Sequence, residues 1–413
     1  MTDWNEDEVR AHFPALAIRD EGRARVYLDA PAGSQVPQRV LDRMHEALVS
    51  SCANDGAHFR TSQGTRRIVE EGLKAAADFL NAGSDEIVFG LNTTSLLFHF
   101  SQMLARDWQP GDEILLTRMD HDGNIAPWLI AAEARGVTVR WLDFDPETFG
   151  YRYDTLDELV GPRTRLVACN HASNLLGTIN DVTRIVAAGR AVGAVTMVDA
   201  VQSAPHLPID VKYIGCDLLA CSPYKFFGPH AGLLYLRAEV RDRLKPLKVR
   251  PSSWNMPTRF SPGTPSFEAI AGTAGAIEHL AWLGDRFGGM AGGTLRARIV
   301  AGLDAASRHE TALMRRLFDG FAQLPGFRLF GPGSNRILER VPTLSFLLPG
   351  KNANATAEHL ARRNIFAWSG SFYAFEAAQR LKIESEGVTR IGLAHYNTAA
   401  EIDAFLSALA ELV

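Results

Sequence analysis

The sequence predicts an α/β protein with a large three-layer domain on a mainly parallel sheet and a smaller C-terminal α/β domain. Three observations carry that expectation. Short apolar runs alternate with longer helical patterns through the first two thirds of the chain. Several runs are continuously apolar, as strands buried on both faces of a parallel sheet are. After about residue 270 the pattern changes to a long helical stretch and then a second, smaller strand–helix series.

The expected strands of the large sheet are Glu86–Phe89, Glu113–Thr117, Val137–Leu142, Leu166–Asn170, Val195–Asp199, Leu218–Cys221 and Gly232–Leu236. Helical spacing fills Ser95–Ala105, Ala126–Arg135 and Thr183–Val192 between them, and repeated strand–helix units of this kind build three-layer sheets. A helical region runs from Ala271 to about Leu324, interrupted near Gly288–Gly293. Beyond it come strand Thr343–Leu348, helix Ala355–Arg363, strands Ile365–Trp368 and Val388–Leu393, and helix Ala399–Leu412. The expected division is a helical segment at 1–25 that joins the small domain, a large domain at 26–285 and a small domain at 286–413.

Composition narrows the function. The 413 residues are 46% hydrophobic and 22% charged, with formal net charge −4. That is ordinary for a globular chain and implies no basic face, so nucleic acid is not an expected partner. The acidic start has no apolar leader-like run, and no stretch of about 18 apolar residues occurs, so neither secretion nor a membrane span is expected. The four cysteines, Cys52, Cys169, Cys216 and Cys221, form no CxxC pair, and a reduced cytoplasmic protein is the expectation. No Walker A, no G-x-G-x-x-G after the first strands, no HExxH and no Cys/His cluster appear, so no metal is expected.

Chemistry concentrates between Met197 and Gly232. One buried strand ends in Asp199, Gln202 follows three residues later, and the next strand runs into Ser222, Pro223, Tyr224 and Lys225. Ligands of parallel α/β sheets sit outside the carboxyl ends of the strands, which is where Asp199 and Lys225 fall. A lysine amine forms an imine with the aldehyde of pyridoxal 5′-phosphate (PLP). A carboxylate keeps the pyridine nitrogen protonated, and a neutral donor holds the phenolic oxygen. Of seven lysines, only Lys225 follows a buried strand among small, aromatic and glycine residues, and desolvation makes such an amine more nucleophilic.

These residues resemble the class V aminotransferase/cysteine desulfurase family of fold-type-I PLP enzymes, over most of the chain from Tyr27-Leu-Asp29 to Tyr396-Asn-Thr398. The resemblance implies a fold-type-I PLP-dependent transferase fold and a homodimer with its active site at the subunit interface. It makes Lys225, Asp199 and His121 catalytic, with His121 stacked on the cofactor ring and Gln202 and Asn174 near the phenolic oxygen. Thr93 and Thr94, at a helix N-terminus suited to anions, would bind the phosphate with Ser222 and Tyr224. Thr264, in Phe260-Ser-Pro-Gly-Thr264, would reach the phosphate of the neighbouring subunit. Arg390 would grip the substrate carboxylate through two parallel hydrogen bonds. Arg60, Trp368, Tyr373 and Asn174 complete the expected substrate contacts.

The resemblance breaks at one loop. Where desulfurases carry a mobile sulfur-attacking cysteine, this chain aligns Tyr373, and all four cysteines precede residue 222. The expected function is therefore a PLP enzyme that deprotonates Cα of a small amino acid through an external aldimine, desulfurase-like, with C–S lyase (β-elimination) chemistry. Transamination is the alternative, and a non-catalytic PLP-binding regulator the second.

Overall fold

The computed structural model describes residues 3–413. Seven strands form the large sheet: β1 (Ile87–Gly90), β2 (Glu113–Thr117), β3 (Thr138–Leu142), β4 (Thr164–Asn170), β5 (Val195–Asp199), β6 (Leu218–Cys221) and β7 (Gly232–Leu236). They lie in the order β1-β7-β6-β5-β4-β2-β3. Only β7 runs against its neighbours, β1 and β6; the other pairings are parallel.

The continuous apolar runs have a direct explanation. Successive side chains point to opposite faces, and each face meets its own core. Leu115, Val167, Leu219 and Leu233 enter the core on one face. Their chain neighbours Leu116, Leu166, Leu218 and Leu234 enter the core on the other. Full burial of such a side chain is worth about 1.5–3 kcal/mol, so a polar residue on either face would be selected against by more than strand propensity spans.

Helices α1 (Gln38–Ser50), α2 (Arg60–Leu80), α3 (Thr93–Leu104), α4 (Ala126–Arg135) and α5 (Val182–Ala191) surround this sheet. Helix α3 begins at Thr93 rather than Ser95, because the Asn92 side chain caps it by accepting the Ser95 N–H at 2.8 Å. The long helical region is α6 (Phe267–Arg286) and α7 (Leu295–Phe321), parted at the expected glycines. The two cross at Gly284 and Gly302, where a Cβ would lie 1.9 Å and 2.0 Å from carbonyl oxygens of the opposite helix. Glycine weakens a helix interior by about 1 kcal/mol, a cost offset here by close backbone packing.

The C-terminal sheet is antiparallel, in the order β8 (Arg328–Phe330), β9 (Thr343–Leu347), β11 (Val388–Gly392), β10 (Trp368–Gly370). It packs with α8 (Ala353–Ala361) and α9 (Ala399–Ala410) around a third core. The expected strand Ile365–Trp368 is two pieces. Ile365–Phe366 pairs in parallel with Val26–Tyr27, and the chain then crosses to β11 as β10. The split arises because residues 26–29 wedge in: Leu28 N–H donates to Phe366 O, and Leu28 O accepts from Gly392 N–H. Arg10, near the N-terminus, bonds the Tyr396 carbonyl and Glu401 at 2.8 Å each. Among the described residues no helix is long and apolar enough to cross a membrane, and no group of three His, Cys, Asp or Glu could hold a metal.

Candidate active site

The carboxyl ends of β1, β2, β4, β5 and β6 share one edge of the sheet, and register brings three of them level: Asn170 lies opposite Asp199, and Asp199 opposite Ala220, one residue before the end of β6. After β6 the chain makes a tight turn over Pro223–Lys225. Ser34 holds this turn. Its N–H and hydroxyl both bond the Tyr224 carbonyl (3.0 and 3.1 Å), and its Oγ accepts the Phe227 N–H at 2.7 Å.

The Lys225 amine therefore points at a fixed place. It bonds the Pro31 carbonyl, which also accepts Gln202 Nε2 at 2.9 Å. Burial, reinforced by the nearby Arg390 charge, pushes this amine from 10.5 down to about 7, while Asp199 and Asp29 pull the other way. Burial pushes the Asp199 carboxyl up to about 6, with the Val201 N–H and Lys225 opposing. Val201 N–H donates to Asp199 Oδ1 at 2.8 Å, and no described group donates to Oδ2. A buried carboxylate with a free oxygen suits the protonated nitrogen of a pyridine ring.

His121 sits at the same edge. Burial, with the Lys225 and Arg390 charges, pushes it to about 4, so its ring is neutral. Its Nδ1 accepts the Gly123 N–H at 2.9 Å, which leaves the proton on Nε2. Tyr373 lies beside it, with ring centroids 5.5 Å apart. The Tyr373 carbonyl accepts the Asp122 N–H at 2.7 Å, tying the 370–374 loop to the histidine loop. Phe372 and Tyr373 both have positive φ (58° and 56°), a conformation few non-glycine residues adopt.

Thr93 is buried at the start of α3, and its Oγ1 lies 2.7 Å from Ser222 Oγ. Thr94 Oγ1 lies beside Gly123. Tyr224 stacks on His230 at 4.8 Å. Arg390, in β11, is buried; its Nη1 donates to the Asn174 carbonyl at 2.9 Å, and its guanidinium lies 3.8 Å from the Phe372 ring centroid. Asn174 Nδ2 donates to the Phe372 carbonyl at 2.7 Å, and its Oδ1 is buried without a partner.

The structure thus gathers Lys225, Asp199, Gln202, His121, Asn174, Tyr373 and Arg390, with the Thr93–Ser222 pair. Two expected residues lie apart. Arg60 is exposed at the start of α2 and forms no described hydrogen bond. Thr264 is exposed on a cleft of about 360 Å³ that Leu91, His99 and His230 also line. Trp368 is 54% exposed, near Asp29. Sequence reasoning gave no role to Asp29, whose carboxyl burial pushes up while Arg390 and Lys225 oppose, or to the Pro31 carbonyl. Tyr27-Leu-Asp29 was visible as a motif, but its approach to Lys225 spans nearly 200 residues of chain.

The donor set fits PLP: a buried amine with its pKa lowered to about 7, a buried carboxylate with a free oxygen, a hydroxyl pair at a helix N-terminus and a neutral imidazole beside them. A family model described as aminotransferase class-V matches residues 26–405. The chain is 33% identical over 420 residues to the aminotransferase-like protein FGM3 of Gibberella zeae, covering 98% of this chain and 97% of that one. It is 32% identical to a cysteine desulfurase of Pectobacterium carotovorum, with the same coverage. The apo structure of a cysteine desulfurase from Thermococcus onnurineus superposes with a TM-score of 0.86 at 28% identity, covering 98% of each chain. With its family match, its relatives and its fold in agreement, the chain belongs to the class-V aminotransferase family of PLP-dependent enzymes.

Proposed function

We propose that this enzyme cleaves a bond at Cβ of a small, cysteine-type amino acid, as a C–S lyase. The observation that carries the proposal is the convergence of the Lys225 amine, held near neutral pKa, with Asp199 and Arg390 at one sheet edge. When bound, PLP supplies an electron sink for charge that develops at the substrate's Cα.

The protein's residues do the rest. Lys225 anchors the cofactor and, once displaced by the substrate, takes the Cα proton on its amine; a pKa of about 7 suits that task at neutral pH. Asp199 holds the proton of the pyridine nitrogen. Gln202 and Asn174 donate to the phenolic oxygen, and His121 covers the ring. Thr93, Thr94, Ser222 and Tyr224 cradle the phosphate, joined by Thr264 from a second copy in a homodimer. That role accounts for an exposed Thr264 unbonded within its own chain. Arg390, stacked on Phe372, presents its free N–H groups to the substrate carboxylate. Trp368, Tyr373 and Arg60 border the substrate side. In this reading Tyr373 stands where desulfurases carry their sulfur-attacking cysteine; Cys169, Cys216 and Cys221 are buried, and the exposed Cys52 follows α1, outside the 370–374 loop.

The test is a product panel. One portion of PLP-loaded protein is reduced with borohydride and its adduct mapped; a second, unreduced portion is incubated with L-cysteine and its conjugates. Pyruvate, ammonia and sulfide in equal amounts are expected from L-cysteine and water. Alanine and sulfide without keto acid would overturn the lyase reading in favour of desulfuration. A keto acid that forms only with an added acceptor acid would make the enzyme a transaminase. An adduct at Lys225 with no turnover would leave a PLP-binding regulator.

A further inference from the structure

Beneath the site the buried polar side chains form one unbroken series of contacts. Trp128 Nε1 donates to Asn124 Oδ1 at 3.1 Å, and Asn124 Nδ2 donates to Asp120 Oδ1 at 2.6 Å. The other Asp120 oxygen bonds Thr117 Oγ1. The Tyr151 hydroxyl oxygen lies 2.8 Å from Thr117 Oγ1 and 2.6 Å from Asn170 Oδ1. Asn170 Nδ2 donates to the Met119 carbonyl at 2.9 Å.

Both ends of the series have fixed polarity. An indole N–H only donates, so Asn124 turns its oxygen to Trp128 and its amide hydrogens to Asp120. A carbonyl only accepts, so Asn170 turns its amide hydrogens to Met119 and its oxygen to Tyr151. Between these ends stand three oxygen–oxygen contacts, and each needs a proton. Thr117 and Tyr151 carry one hydroxyl proton apiece, and Asn170 Oδ1 carries none. The third proton has one place left, on the Asp120 oxygen that faces Thr117.

We infer that Asp120 is a neutral carboxylic acid in the native enzyme, donating to Thr117, and that it is a positioning residue for the His121 loop that leaves the negative charge to Asp199. The functional part rests on the role proposed above for Asp199. A second ionised carboxylate would raise the cost of ionising Asp199 and take away the charge that holds the pyridine proton. A neutral Asp120 supplies the same hydrogen bonds and leaves the negative charge on Asp199. The titratable groups that face Asp120 are Asp199, Tyr151 and Cys169. Burial, with Asp199 adding to it, pushes Asp120 well above the usual carboxylate range, against the opposing effect of its hydrogen bonds with Thr117 and Asn124. Burial likewise pushes Tyr151 and Cys169 up, so neither contributes a negative charge at neutral pH.

The test is infrared difference spectroscopy of cofactor-free protein at neutral pH, wild type minus Asp120→Asn. The expected result is the carbonyl stretch of a protonated acid. A carboxylate stretch in its place overturns the inference. Tyr151→Phe, which removes one proton from the series, should displace the same acid band and so assigns it even if Asp120→Asn does not fold. In the loaded enzyme an amide at 120 keeps every donor and acceptor in place, so kcat should stay within about twofold of wild type, while Asp120→Ala, which strands buried partners, should lose about tenfold or more. The acid limb of the kcat/KM profile of Asp120→Asn should not move; a shifted limb, or Asn as damaging as Ala, overturns the inference. A failure of the PLP assignment would appear separately, as no borohydride-fixed adduct at Lys225.

Discussion

The ionisation of Lys225 offers the sharpest check on the site, because it can be read without cofactor or substrate. The amine falls from its ordinary 10.5 to about 7, with burial the largest cause and Arg390 the second. At about 1.4 kcal/mol per pH decade, that is on the order of 5 kcal/mol in favour of the neutral amine. The linked effect on stability has a definite sign. Between about pH 7 and 10.5 the unfolded chain binds a proton at this lysine and the native protein does not, so this group makes stability rise with pH across that window. Competitive labelling of cofactor-free protein with an amine-reactive anhydride, followed by peptide mass spectrometry, reads the titration directly. The other six lysines serve as internal standards. Lys225 should become reactive with a midpoint near 7. Replacing Arg390 by Gln removes a neighbouring positive charge and should raise that midpoint by about one pH unit. A Lys225 midpoint grouped with the standards would refute the enclosed amine. A midpoint near 7 unmoved by Arg390→Gln would refute the arginine's approach to it.

Three further outcomes follow from the same geometry. Asp199→Asn should abolish turnover by at least about 100-fold, yet stabilise the cofactor-free protein. The native carboxyl titrates near 6 rather than 3.8, so above pH 6 its ionised form costs about 3 kcal/mol relative to the unfolded chain, and urea titration at mildly alkaline pH reads the gain. Arg390→Lys should raise KM by about tenfold or more with a smaller change in kcat, because an ammonium cannot form the paired hydrogen bonds or the stack on Phe372; steady-state kinetics on the substrate found by the product panel checks this. Gly302→Ala should lower stability in urea by about 1–3 kcal/mol, since its Cβ would lie 2.0 Å from the Leu280 carbonyl and two helix backbones would have to part.

The seven strands of the large sheet were legible within a residue or two, because each is a local run whose two faces are both buried. That Asp199, Gln202 and Lys225 meet at one edge was legible for a related reason: they end or follow such runs, and strand ends of a parallel sheet share an edge. Helix α2, β8 and the split between Ile365–Phe366 and β10 were not foreseen. The split depends on residues 26–29 arriving from the far end of the chain, which no window around 365 contains.

What the sequence determined by itself was therefore the layered fold and the gathering of Asp199, Gln202 and Lys225 at one sheet edge, since both follow from short-range pattern. The tertiary structure alone decided that the Pro31 carbonyl receives Lys225 and Gln202, that Asp29 shares their space, and that Arg390 lies under Asn174. It also decided which groups are charged. Ionisation answers to burial and to the sum of neighbours in three dimensions, and a string of residues does not carry that sum.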